Sequence, residues 1–417
     1  MAYFREFTLH WPNLLGASVG LALGSALNHY MLNLFGPPLI AEFGWSKAQF
    51  ALVGSLGLIG LFVMPIAGRF TDRFGTRISA IVGFSVVPAG YFALSLMTGD
   101  IWQFYGILLL KNVFGILTTT FVFSRVVVER FDAARGLALA FMLSGAPLAG
   151  ALAVQLVGDI IVDDGWRAGY RTLALISAIG GIASVILIGR ASKTADAKPV
   201  IEPARLTWDE FRALCRRPVF LLLVGGMFFC NFPQVLVSSQ MNIMLMDNGA
   251  TAQFATTLVS LYAISVVVGR FASGFALDRV SPHLVAIVAL GLPGAGYFAL
   301  ASPVDTNLLM LTSIVLVGLA QGAETDVSAI LTSRKFDMRH YSFIFSLLMA
   351  SMGIASALGS MVLSLTLLQS DSFDTFLIIC AVLTLFGAAC FFLTGRYGRD
   401  DATNSANDAK LVTGEIH

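Results

Sequence analysis

Charge is scarce in this sequence: Asp, Glu, Lys and Arg make up 12% of its 417 residues, against roughly a quarter in a soluble domain. Water is therefore not expected to be the chain's main solvent. The charge that is present is balanced, 26 Lys and Arg against 25 Asp and Glu. That balance argues against a nucleic acid or an acidic macromolecule as partner. Cysteine is scarcer still. Cys215, Cys230, Cys380 and Cys390 form no C-x-x-C pair and fall in or beside apolar stretches, so neither a disulfide framework nor a zinc site is indicated. No G-x-x-x-x-G-K-[ST] and no H-E-x-x-H sequence occurs. ATP is thus not an evident driving force, an enzyme is not expected, and no cofactor or metal is called for.

Apolar residues fill the space that charge leaves: 57% of the chain is hydrophobic and the mean hydropathy is +0.80. They come in runs of about twenty, the length that crosses a hydrocarbon core of roughly 30 Å. The runs are placed near 12–35, 48–67, 78–97, 102–127, 136–158, 171–190, 218–242, 253–277, 283–301, 306–331, 341–367 and 373–395. The first follows a short polar start, residues 1–11, and lacks a small-residue cleavage site, so it reads as a spanning helix and not a signal peptide. Twelve spans put both termini on one side. The even-numbered loops and the two tails hold 21 of the 26 Lys and Arg residues, while the odd-numbered loops hold Lys47, Arg167 and Arg171. By that bias the termini are expected in the cytoplasm; the chain is expected to be a multi-pass protein of a cell inner membrane. The expected organisation is a six-helix bundle over 1–190, a linker over 191–217 that is partly helical along the membrane surface, a second bundle over 218–395, and a tail over 396–417.

The two bundles share sequence. Gly68-Arg69-Phe70-Thr71-Asp72-Arg73 follows the second span and Gly274-Phe275-Ala276-Leu277-Asp278-Arg279 the eighth, an offset of 206 residues. Arg130-Phe131-Asp132 and Lys335-Phe336-Asp337 agree at an offset of 205. Matches at corresponding places in each half argue for a parallel duplication.

In this the chain resembles the major facilitator superfamily over nearly its whole length. The family's loop motif G-x-x-x-D-R-x-G-x-R/K stands at Gly68, Asp72, Arg73, Gly75 and Arg77, and its fifth-helix Gly-Pro element is echoed by Gly145-Ala146-Pro147-Leu148-Ala149-Gly150. Phe43-Gly44-Trp45-Ser46-Lys47-Ala48-Gln49, the lone Arg270 and Gln321-Gly322-Ala323-Glu324-Thr325-Asp326 resemble the monocarboxylate and oxalate/formate branch. The departure is Val266, where animal monocarboxylate carriers place an Asp; their Gly-Trp-rich entry to the first helix is also absent. The resemblance implies an all-α membrane protein, two pseudo-symmetric six-helix bundles, functioning as a monomer.

Ionisable groups inside spans cost about 2.5 to 3.5 kcal/mol each on insertion scales and so mark a cavity or a partner. Arg270 and Glu324 lie at similar depth, roughly 12 and 15 Å from the terminal-side boundary at 1.5 Å per residue. A guanidinium there suits a carboxylate substrate held by two parallel hydrogen bonds; the structural alternative is a fixed tie to Glu324 or Asp326. Glu324 shares a polar stripe with Gln321 and Ser328 and is expected to carry protons, while Asp326, on a different face, is expected to tie its helix to a neighbour. Lys111, Thr118 and Arg125 recur every seven residues on one face; Lys111 either binds the anion or is a salt-bridged or snorkelling lysine. His29, beside Ser25 and Asn33, is either a proton-responsive group or a hydrogen-bonded structural one. Asn28 and its repeat partner Gln234, together with Tyr262, are candidate cavity liners, and Asn231 and Pro233 point to an interrupted seventh helix. Gly68, Asp72, Arg73, Arg77, Asp278 and Arg279 are expected to gate.

The expectation is proton-coupled uptake of small organic anions, monocarboxylates and aromatic acids among them, with substrate, protons and the lipid bilayer as the only partners. Efflux of lipophilic compounds is the alternative within the same fold, and a transporter-like receptor the alternative of another class.

Overall fold

The computed structural model describes residues 2–131, 134–189, 208–277, 279–302, 306–336 and 341–412. Among the described residues, ten helical segments are long and apolar enough to cross a membrane. One of them, Lys47–Ser95, has 49 residues, about 73 Å at 1.5 Å per residue, more than twice a hydrocarbon core. It breaks at Gly75, whose φ of 82° and ψ of 165° leave the helix, so it makes two crossings. A further crossing precedes it as two helices, Ala2–Leu23 and Leu27–Phe43. Twelve spans result. Gly75 is the second glycine of the loop motif, and its conformation lies in a region that only glycine enters without strain.

The other spans are Ile101–Arg130, Leu137–Asp164, Trp166–Ile188, Pro218–Asp247, Ala252–Leu277, Pro282–Leu300, Asn307–Lys335, Ile344–Ser370 and Asp374–Arg396. The helix of the last span runs on to Val412. Of the expected linker, Trp208–Cys215 forms a short helix; residues 191–207 lie outside the described residues, as do Asp132, Asp278 and Asp337.

Outward faces are apolar, with Phe62, Leu152 and Val162 each more than three-quarters exposed, as a helix bathed in lipid requires. Inward faces bring backbones together over small residues. A Cβ on Gly322 would collide with the Val266 carbonyl, and one on Gly269 with the backbone of Leu319. Such close approach is how helices associate without a hydrophobic drive between them, and it locks the eighth span to the tenth.

The first half packs span 1 on 5 and 6 and span 3 on 6; the second packs 8 on 10, 9 on 10 and 12, and 7 on 12. Spans 5 and 8, 1 and 7, and 2 and 11 join the halves. Their contacts concentrate at the distal end, away from the termini. There Lys47 Nζ meets Asp247 Oδ2 at 2.7 Å and Asp371 Oδ1 at 3.8 Å, and the Ser360 hydroxyl donates to the Ala51 carbonyl. Lys47 is presented by a helix start that Ser46 and Gln49 cap reciprocally.

Among the described residues, the second span tightens near its start, over Leu52–Leu56, and three others are interrupted deeper in the membrane. The first turns at residues 24–26, where the Ser25 N–H donates to Thr118 Oγ1 at 2.9 Å. The fourth tightens over Ile116–Thr118 and is extended at Thr119. The seventh widens over Leu236–Gln240. Broken helices at membrane depth are tolerated where they line a cavity or are buried in protein.

Candidate functional site: polar groups between and within the halves

Asn28, Tyr91 and Lys111 meet inside the first half. Lys111 is 2% exposed; its ammonium donates to Asn28 Oδ1 and sits 4.1 Å from the centre of the Tyr91 ring. Among the described residues it makes no ion pair with a carboxylate, so of the alternatives open in the sequence a salt-bridged or snorkelling lysine is not what the geometry gives.

The second half has a counterpart. Gln234, Tyr297 and Glu324, with Cys230, Asn231, Val317 and Gln321, line a cavity of about 30 Å³. That volume holds a water or two and excludes an organic solute. Glu324 is 5% exposed. Its Oε2 accepts from Gln321 Nε2 at 2.6 Å, whereas Oε1 has no partner. The two clusters are repeats of each other: Ala89-Gly90-Tyr91-Phe92-Ala93-Leu94 recurs as Ala295-Gly296-Tyr297-Phe298-Ala299-Leu300 at the offset of 206 that relates Asn28 to Gln234. The six-residue match is the strongest internal one in the chain, and it was the available signal for the two tyrosines that the reading of charged residues passed over. The halves differ in what they add: a cation on the fourth span, an acid on the tenth.

Arg270 and Glu324 do not pair. The neighbour of Arg270 is Asp326, with Nε and Oδ2 3.9 Å apart, beyond a hydrogen bond. Arg270 Nε is buried without a partner, yet the side chain keeps 16% of its surface accessible. His29 faces the other half: its Nε2 is 3.3 Å from the Tyr262 hydroxyl, and the Tyr30 and Tyr262 rings stand 6.1 Å apart. Glu324 and Asp326 thus serve different surroundings, as their helical spacing implied.

The loop motif lies on the terminal side. Asp72 pairs with Arg125, within its own half; Gly68 is buried and Arg73 stacks on Phe74 at 5.4 Å. Arg77 Nε is buried and unpaired. Arg279 donates to the Phe275 carbonyl at 3.2 Å and lies 3.5 Å over its ring. The four cysteines are free thiols. Gly16-Ala17-Ser18-Val19-Gly20 spells G-x-S-x-G, but it lies in the interior of the Ala2–Leu23 helix, without the strand-to-helix turn that exposes a hydrolase nucleophile.

A helical membrane protein of duplicated halves, with buried polar groups near the seam between them, is a carrier by class. Residues 19–241 and 226–415 match the family described as Major Facilitator Superfamily, and the chain belongs to that superfamily. It is a transporter and not an enzyme. It is 23% identical to an MFS transporter, asaE, of Aspergillus flavus, over 84% of this chain and 78% of that one. It is 22% identical to a gallate transporter of Pseudomonas putida, over 72% and 73%, and 22% identical to the 4-hydroxybenzoate transporter PcaK of the same species, over 70% and 72%. The solved structure of the nucleoside transporter NupG superimposes with a TM-score of 0.73 at 14% identity, covering 93% of this chain and 99% of that one. A bacterial homolog of the human lysosomal transporter Spinster, inward-facing and unoccupied, superimposes at 0.71 with 15% identity, covering 95% and 98%. These likenesses carry the fold.

Proposed function

We propose that the chain is a secondary carrier that takes small organic anions, aromatic acids among them, into the cytoplasm together with protons, by alternating exposure of a site between its halves. The observation that carries the reading is Arg270: a guanidinium in a spanning helix, partly accessible, whose Nε makes no hydrogen bond and whose ion-pair partner Asp326 stands 3.9 Å away. Such a group is under-coordinated until a carboxylate supplies two oxygens in the plane of its fork. Tyr30, Tyr262 and His29 give the rest of this seam an aromatic, hydrogen-bonding lining suited to a hydroxylated ring. The names of the two Pseudomonas putida relatives fit that substrate class.

Lys111 supplies the second positive charge in the first half, with Asn28 beside it. Glu324, in a cavity with room for water but not for substrate, is the proton carrier, lined by Gln234; Asp326 holds Arg270 between turnovers and yields it to the incoming anion. His29 stands at the seam as a secondary proton group. The loop-motif residues Gly68, Asp72, Arg73, Arg77 and Arg279, and by the repeat Asp278, close the terminal side when the distal side opens. The Lys/Arg bias puts the termini in the cytoplasm, so a closed distal end leaves the site facing inward.

The test is uptake of labelled 4-hydroxybenzoate, gallate and short monocarboxylates into vesicles. Arg270→Gln is expected to lower the rate about ten- to hundredfold, the worth of a charge-assisted hydrogen bond or two, with unchanged membrane insertion. Transport by the variant at the parent's rate would show that the anchor is elsewhere. Uptake indifferent to an imposed pH gradient would remove the proton from the scheme.

A further inference from the structure

The wide turn of the seventh span, Leu236–Gln240, is met by a residue of the other half. In an α-helix the Val237 carbonyl would accept from the Met241 N–H. Here the amide of Asn33, in the first span, stands between that pair. Its Nδ2 donates to the Val237 oxygen at 2.8 Å, and its Oδ1 accepts from the Met241 N–H at 2.8 Å. Asn33 is fully buried, so water does not share the work.

Two further observations bear on what this arrangement does. Gln240, at the end of the turn, is fully buried with neither its amide oxygen nor its nitrogen hydrogen-bonded, a costly state in an apolar medium. The Gln240 amide is thus a polar group that a change in this turn could supply with a partner. The turn also lies between two features the carrier needs. On its distal side is Asp247, which pairs with Lys47 where the halves close. On its other side are Asn231 and Gln234, which line the Glu324 cavity together with Val237.

We infer that Asn33 is a positioning residue of the transport cycle, holding the seventh span in its wide form only while the distal end is closed. When the halves part distally, Asn33 leaves with the first span. Val237 and Met241 then lose the amide that stood between them, and the direct bond from the Met241 N–H to the Val237 carbonyl is the one that completes a regular helix. Closing that bond takes one residue out of the wide turn. The segment bearing Asn231 and Gln234 then rotates against the segment bearing Asp247 by one residue of helix, about 100°. The surroundings of Glu324 are thereby set by the state of the distal end. The inference rests on the two-sided access of the proposed carrier and not on which anion it carries.

The experiment reads distal closure directly, in the full-length chain in lipid vesicles. A Cβ on Gly54 would lie 3.0 Å from that of Ser360, in the opposite half, a little inside the roughly 3.5–4.5 Å of a disulfide, so the pair Gly54→Cys and Ser360→Cys, with each single variant as control, is expected to cross-link when the distal end is shut. The rate of disulfide formation, followed by peptide mass spectrometry, is compared in backgrounds with Asn33 intact, Asn33→Leu and Asn33→Ala. Both substitutions are expected to slow cross-linking about tenfold or more. Deleting Ser238 removes the extra residue of the turn without turning its flanks. In the Asn33→Leu background it is expected to restore the rate to within about threefold of the parent, a rescue that loss of a local packing contact would not show. Either Asn33 variant, monodisperse and folded, cross-linking at the parent's rate would overturn the inference, as would a folded Ser238 deletion that leaves the rate low. Failure of the organic-anion reading registers separately, as absent carboxylate uptake with these rates as expected.

Discussion

Single residues divide here into those whose place followed from spacing and those whose partner did not. Glu324 and Asp326, two positions apart on a helix, had to face different surroundings, and they do. Which of them meets Arg270 depended on how closely the eighth and tenth spans approach, and no spacing encodes that. If Glu324 carries the proton, Glu324→Gln is expected to abolish pH-driven uptake while sparing exchange of labelled for unlabelled substrate; loss of both in a folded protein would move it to the anion site. A surface carboxylate offers a second check. Glu42, exposed at the distal end, accepts from Trp166 Nε1 at 2.5 Å and from Arg167 at 2.7 Å, and these bonds hold its carboxyl below its ordinary value of 4.5. A carboxyl held down when folded adds stability above its ordinary value and loses it as pH falls through the lower one. The melting temperature of Glu42→Gln should therefore lie below the parent's at pH 7 and converge with it in acid.

At the scale of elements, helices were readable from length and hydropathy, and their interruptions only in part. Asn231 and Pro233 announced a break in the seventh span, and the wide turn follows them by a few residues. Nothing comparable marked the tight segment at Ile116–Thr118, which Gly24 and Ser25 stabilise from across the bundle. The loop motif was legible as a pattern, and its second glycine now has a cause: Gly75, at φ 82°, ψ 165°, allows two spans to be joined by a single sharp break. Gly75→Ala is expected to cost about 1–3 kcal/mol, measurable as a lowered unfolding temperature in detergent. An unchanged temperature would mean that the loop relaxes around the methyl group.

For the whole molecule, the two halves are held by a small number of bonds at the distal end, and these set which side is shut. Lys47 is shared between Asp247 and Asp371, exposed groups whose attraction salt screens. Removing the charge by Lys47→Ala is expected to shift the population toward distal opening by a few-fold, in keeping with about 0.5–1 kcal/mol for an exposed pair. Labelling of a distal cysteine such as Ile243→Cys by an impermeant reagent would rise accordingly, and more so at low salt in the parent's favour. Equal labelling at all salt concentrations would assign closure to the buried contacts alone.

By itself the sequence determined the solvent, the number of crossings, the duplication and the family, because each depends on runs of apolar residues, on local charge or on a short motif at a fixed place. It placed Lys111, His29, Arg270 and Glu324 inside the membrane, since a charge in an apolar run shows in one dimension. Only the tertiary structure decided that Lys111 sits with Tyr91, that Glu324 belongs to a cavity of the second half and not to Arg270, and that Asn33 completes a turn some two hundred residues away. Those outcomes rest on the approach of backbones across glycines and on hydrogen bonds between halves. Such bonds form between residues whose proximity arises only when the bundles close on each other.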